Sequence, residues 1–236
     1  MIDFYVSLAP AVKSSLLITT FLMIAVMILG LRVKRMQTSD VPHGITLLSI
    51  MFVEMVNNTV KDAYKKNWKK YAPLLLTILL FLLFANTIAL FGMTAPLSNI
   101  VVAMSFSVFV FMTIQIVGYT STNPFKRALS MLNPLNLIGE FSTPMAMGLR
   151  LFGNLLSGSI IGLIIFRGSY ELAMFVYDAI GIGVLDSVGF VIFQAIGVGI
   201  GSFIHAVFDI FFGAIQAYVF FMLFTIFMSI AANDSE

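Results

Sequence analysis

From Tyr71 to Phe125 the sequence carries no charged residue, a run of 55 positions. Typical soluble chains are about 25% charged, so a gap of that length does not belong to a water-exposed surface. Crossing a bilayer takes about 20 apolar residues. The run therefore holds two crossings, separated by "FGMTAPLSN" at 91–99, whose Gly and Pro mark a turn. The whole chain has the same character, with 60% hydrophobic and 10% charged residues, and reads as an all-α polytopic integral membrane protein. It contains no Cys, which excludes disulfides, thiolate metal sites and Cys nucleophiles. A net charge of only +2 argues against a nucleic-acid partner.

The remaining runs complete a single membrane domain over 1–236 with about five transmembrane helices. A first span is expected over 12–32. Its 18-residue apolar core, Ser14 to Leu31, is followed by Arg32, Lys34 and Arg35 instead of a cleavage site, unlike a signal peptide. An amphipathic surface helix is expected over 40–70, where "SIMFVEMVNNTVKDAYKKNWKKY" mixes apolar and basic residues and Trp68 and Tyr71 supply interfacial anchors. The hairpin occupies 71–118, and an arginine-bearing helix 137–168. The tract 172–231 is too long for one ordinary span, so a re-entrant segment leading into a last long helix is expected, or two packed spans. Ten of the thirteen basic residues fall in the two loops that alternation puts on one side. Those loops are expected to be cytoplasmic, with the N-terminus outside and the C-terminus inside.

Arg150 interrupts this pattern. Within "MAMGLRLFGNLLSG" it lies about 20 Å along a helix that begins near Leu137. An arginine so deep costs about 2.5–3.5 kcal/mol even on lenient insertion scales, and its high pKa forbids neutralisation. Glu140 is ten residues and about 15 Å away on the same helix, too far to pair, so the partner belongs elsewhere. Asn154 and Ser157 share the face of Arg150, whereas Ser159 points about 180° away. Gly148, Gly153, Gly158 and Gly162 allow another backbone to approach.

A second polar stripe lies on the last tract. At about 100° per residue, Gln194, His205, Asp209 and Gln216 share a face, and His205 and Asp209 are an i, i+4 pair able to exchange protons. Passage of a small cation fits these groups better than bond chemistry. There is no Ser/His/Asp array with workable spacing, no zinc-ligand cluster, no phosphate-binding loop and no paired carboxylates in one site, so neither a cofactor nor a metal is expected. A fixed positive charge is a poor cation ligand but a good gate, because it attracts a carboxylate and excludes a second cation.

"GLRLFGN" at 148–154 and "GAIQAYVFFMLFTIFMS" at 213–229 closely resemble subunit a of the membrane (Fo) sector of bacterial rotary ATP synthases. "YAPLLLTILLFLLFANTIALFG" and "NPLNLIGEF" upstream look like the same family, so the resemblance spans about residues 70–230. It implies a non-catalytic stator subunit in a bacterial plasma membrane, with two long tilted C-terminal helices packed on a rotor ring. Subunit c would supply the carboxylate facing Arg150, peripheral-stalk subunit b and other ATP synthase subunits would be neighbours, and H+ or Na+ would pass through two half-channels. Arg150, Asn154, Gln216 and Asn86 match family positions residue by residue. Two departures stand out. Many relatives carry Glu where this chain has Ser159, and enterobacterial relatives carry His where it has Asp209. The expectation is that Asp209, with His205, supplies the titrating group that Ser159 cannot. Glu171, Asp178 and Asp186 are candidates for an outer half-channel, or ordinary solvated connector charges. The competing reading is a stand-alone secondary transporter or channel with Arg150 binding an anionic substrate.

Overall fold

Proline, glycine and capping residues decide where this apolar chain breaks into helices. The computed structural model describes residues 9–36, 42–64, 68–121, 134–180 and 183–233, and no strand occurs among them. Helix α1 spans Pro10–Arg35, with proline in its first turn and Arg32, Lys34 and Arg35 in its last. Helix α2 spans Ile45–Tyr64 and α3 spans Trp68–Thr87. A 3₁₀ turn, Ile88–Phe91, ends at Gly92, whose φ of 72° is left-handed and suits glycine. A second 3₁₀ turn, Pro96–Ser98, leads to Asn99, whose Oδ1 accepts from the Val101 N–H at 2.9 Å and caps α4, Ile100–Ser121. This is the turn expected at 91–99.

The C-terminal half differs from the expected boundaries. Helix α5 runs from Pro134 to Ile180, and α6 from Gly183 to Val207. The residues expected to form a re-entrant segment are therefore divided between the end of the arginine-bearing helix and the start of the next. The physical reason is local: 169–180 holds neither Pro nor Gly to end the helix. A π-helical turn, Phe208–Phe212, joins α6 to α7, Gly213–Asn233, so the last tract is one long return path. Lys65, Lys66, Lys126 and Arg127 lie outside the described residues.

Among the described residues, five helical stretches are long and apolar enough to cross a membrane: Pro10–Arg35, Trp68–Phe91, Ile100–Ser121, Ile138–Phe175 and Phe190–Ala232. The protein is an all-α, multi-pass membrane protein. The fourth stretch has 38 residues, about 57 Å of helix against about 30 Å of hydrocarbon, so it cannot stand upright within the apolar layer. Pro144, buried inside α5, removes one helical hydrogen bond near the start of this path.

The core joins α3, α4 and α7. Leu75, Leu79 and Leu82 of α3 meet Phe220, Phe221 and Phe224 of α7, and Phe106 of α4 packs its ring 5.5 Å from that of Phe220. The Ser229 hydroxyl donates to the Ala63 carbonyl at 2.7 Å, which ties the end of α7 to α2. The end of α1, the start of α3 and the end of α7 thus share one end of the bundle, here termed the basic end after Arg32, Lys34, Arg35, Lys69 and Lys70.

Candidate functional site

The site is built on the antiparallel pair formed by α5 and the path α6–α7. Contacts between the two run in register: a Cβ on Gly197 would overlap Ser169, one on Gly201 would lie 3.5 Å from Ile165, and one on Gly162 would lie 3.2 Å from His205 Cδ2. Four residues forward on one helix match three to four residues back on the other. Continued twelve residues from Gly162, this register brings Arg150 to within a turn of the level of Gln216 on α7. Helices α5 and α7 pack against each other.

Arg150 points outward. The inner face of α5 carries Met147, Gly148, Leu151, Leu155 and Gly158, all buried. Arg150 shares the opposite face with exposed Leu149, Leu156, Ser157 and Ile160. Among the described residues, Arg150, Asn154 and Gln216 form no side-chain hydrogen bond or ion pair. Asn154 is half-buried and Gln216 is buried, and neither pairs with the arginine. The glycines fall into two classes. A Cβ on Gly148 would overlap Ser107 Oγ of α4, so that glycine serves packing within the chain, whereas nothing lies within 4 Å of a Cβ on Gly153, on the outward side.

Asp209 and His205 come together as the sequence pattern predicts. Asp209 Oδ2 lies 3.0 Å from His205 Nδ1, an ion-pair distance, although the alignment is not that of a hydrogen bond. Asp209 is 4% exposed, and the imidazole edge rests against Gly162 of α5. The π turn holding Asp209 changes the simple wheel. One extra residue in that turn rotates α7 by about 100° relative to α6, so Gln216 does not continue the face of Gln194 and His205 as a uniform helix would. Asn86 is fully buried in α3 and its Nδ2 donates to the Gly213 carbonyl at 3.0 Å, at the end of the π turn. Gln194 is half-buried in the first part of the same path. Ser159 is exposed and its hydroxyl donates to the Leu155 carbonyl of its own helix at 2.9 Å. Glu171 and Asp178 are exposed on the far part of α5, about 31 and 42 Å along the helix from Arg150. Asp186 belongs to α6, and its side chain lies outside the described residues. Among the described residues no group of three or more His, Asp or Glu is placed to hold a metal ion.

Comparison with known proteins bears on this arrangement directly. The family described as ATP synthase A chain matches residues 15–229. The chain belongs to that family. It is 29% identical to ATP synthase subunit a 2 of Chlorobaculum tepidum over 222 residues, covering 88% of this chain and 58% of the relative. Identity to ATP synthase subunit a of Chlorobium phaeobacteroides is also 29%, over 99% of this chain and 67% of the relative. For ATP synthase subunit a of Moorella thermoacetica it is 26%, over 67% of this chain and 76% of the relative. The chain thus spans about three fifths to two thirds of the length of the first two of these relatives.

Every candidate residue named above falls inside the stretch that matches the ATP synthase A chain family. One polar pair was not anticipated from the sequence. Gln115 Nε2 of α4 donates to Glu140 Oε2 of α5 at 2.6 Å, and both border a cavity of about 230 Å³ with Thr143, Pro144 and Phe227. The available signal was a lone glutamine in the uncharged run, and its meaning depended on which helix lay beside it. Glu140 lies on the basic-end side of Arg150, and the His205–Asp209 pair lies on the opposite side, level with Gly162. The two titratable groups are separated along α5 by about 33 Å, with the outward-facing arginine between them.

Proposed function

We propose that this chain is the ion-translocating stator subunit a of a rotary ATP synthase, without catalytic activity of its own. The observation that carries the reading is Arg150: a permanent charge on an outward apolar face, unpaired within the described residues, with separate titratable groups on either side of it. A carboxylate on a rotating ring of subunit c would meet the arginine from outside the chain and ionise there. Ions would reach the ring through one polar path near His205, Asp209, Asn86 and Gln194, with Glu171, Asp178 and Asp186 toward its mouth. They would leave through another near Gln115 and Glu140, or move in reverse. Asn154 and Gln216 would border the arginine, and Ser159 would lie on the outer path without carrying the ion.

Arg150 would block direct passage between the two paths, so conduction would require rotation of the ring. Each elementary charge crossing the membrane brings about 2.3 kcal/mol per 100 mV, which explains why several ions must be collected for each ATP. The proposed partners are the subunit c ring, subunit b of the peripheral stalk, the remaining ATP synthase subunits and the lipid bilayer. The proposed orientation puts the basic end and the C-terminus in the cytoplasm and the N-terminus outside, in a bacterial plasma membrane.

The test uses the assembled complex in sealed vesicles. Arg150→Ala is expected to abolish both ATP-driven ion pumping and ATP synthesis while the complex still assembles, because the exposed side chain forms no hydrogen bond or ion pair among the described residues. Coupled synthesis at the wild-type rate in that variant would overturn the reading. Running the same vesicles with and without Na+ identifies the ion as Na+ or H+.

A further inference from the structure

A crevice of about 1030 Å³ opens between α1, α2 and α3, on a different part of the molecule from Arg150. Helix α1 is held at its first half, where Ala11, Ser14 and Ile18 are buried, and the rings of Phe21 and Phe84 meet at 5.5 Å. Beyond that contact it stands away from α3. Leu22, Val26 and Leu29 form one wall and Leu80 and Leu83 the other, and the crevice reaches the basic end at Lys34.

Its length and shape limit the occupant. From Leu22 to Lys34 is twelve residues, about 18 Å, close to the depth of one leaflet of a bilayer whose hydrocarbon is about 30 Å thick. A transmembrane helix from another subunit would need the whole thickness, and the Phe21–Phe84 contact closes the crevice near mid-depth. The lining carries one cation, Lys34, and one acid, Glu54, beside the neutral polar groups Ser49 and Asn57. Among the described residues Lys34 and Glu54 pair neither with each other nor with another side chain. Arg32 and Arg35 flank Lys34 on the same last turn of α1.

We propose that this crevice binds one zwitterionic phospholipid with a phosphoethanolamine headgroup. The phosphate is held by Lys34 and the ammonium by Glu54, with the acyl chains filling the gap between α1 and α3. Basic pockets between membrane helices are established headgroup sites. The acid in the lining favours the zwitterion here, because an ammonium forms an ion pair with Glu54 where phosphatidylglycerol offers it only neutral hydroxyl donors. The lipid then serves as the packing that joins the second half of α1 to the body.

The test is native mass spectrometry on the full chain, released from vesicles containing equal amounts of phosphatidylethanolamine and phosphatidylglycerol. One tightly retained phosphatidylethanolamine per chain is expected. Lys34→Gln and Glu54→Gln, both at exposed positions, are each expected to lower retention by about tenfold, the loss typical of a charge-assisted contact. Val26→Trp, which fills the crevice, should abolish retention without changing the headgroup contacts. Preferential retention of phosphatidylglycerol, retention unaffected by all three substitutions, or the absence of any retained lipid would each overturn the proposal. So would a photo-crosslinker on Val26→Cys that, in the assembled complex, captures a protein helix in place of lipid.

Discussion

The block formed by α3, α4 and α7 and the pair formed by α5 and α6 have similar apolar composition and opposite surroundings. In the block, leucines and phenylalanines are covered on several sides, and Leu75, Leu82, Phe220, Phe221 and Phe224 are fully enclosed. The pair instead meets along small residues, with Ser169 against Gly197 and His205 against Gly162, and turns long apolar side chains such as Leu163 and Phe203 outward. Between apolar helices in lipid there is no hydrophobic gain, so close backbone approach supplies the attraction that side-chain burial supplies in water. Apolar exposure by itself is normal in that setting. The charge on the exposed face is what distinguishes the pair, while the block packs against it.

Substitutions that separate these two roles should break along the same line. Asp209→Asn, which keeps shape but removes the titrating group beside His205, is expected to lower ion flux by about a hundredfold in vesicles, with assembly unchanged. Normal flux would return Asp209 to a packing role. The two glycine classes provide the sharpest contrast. Gly148→Ala forces α5 from α4 at Ser107 and should destabilise the chain by about 1–3 kcal/mol, read as a lower midpoint in thermal unfolding in detergent. Gly153→Leu has open space and should leave that midpoint unchanged, yet impair pumping in the assembled complex if the outward face receives the ring.

Comparable or smaller effects are expected within the block. Asn86→Ala leaves the buried Gly213 carbonyl without its side-chain donor and should cost about 1–3 kcal/mol, visible as faster amide exchange around residues 208–213. Tyr64 provides the smallest. It stacks on Tyr71 with ring centroids 4.8 Å apart, and its buried hydroxyl has no hydrogen-bond partner among the described residues. Burial first, and then the neighbouring Tyr71, raise the phenol above its usual value of about 10. The unfolded phenol ionises before the folded one, so this contribution is complete below about pH 10 and declines above it. Tyr64→Phe should be within about 1 kcal/mol of the parent at pH 7 and less sensitive to alkali, measured by thermal unfolding at pH 7 and pH 11.

Much of the architecture was legible in one dimension. The span count and the hairpin turn at 91–99 follow from run length and from Gly and Pro placement. The i, i+4 pairing of His205 with Asp209 is likewise local, since both side chains rise from adjacent turns of one helix. The end of α5 was not read correctly, because 169–180 contains no breaker and the length limit of an upright span does not apply to a tilted helix.

The sequence by itself determined that the chain crosses a membrane several times and carries a charge there that its own helix cannot neutralise. Both follow from solvation, which acts on each residue without reference to distant ones. Only the tertiary structure decided that Gly148 packs inward while Gly153 faces out, that Gln115 reaches Glu140, and that the π turn at Asp209 rotates Gln216 away from a simple stripe. The first two depend on the register and rotation of helices distant in sequence and the third on a change of repeat within one path, and a uniform helical wheel contains none of them.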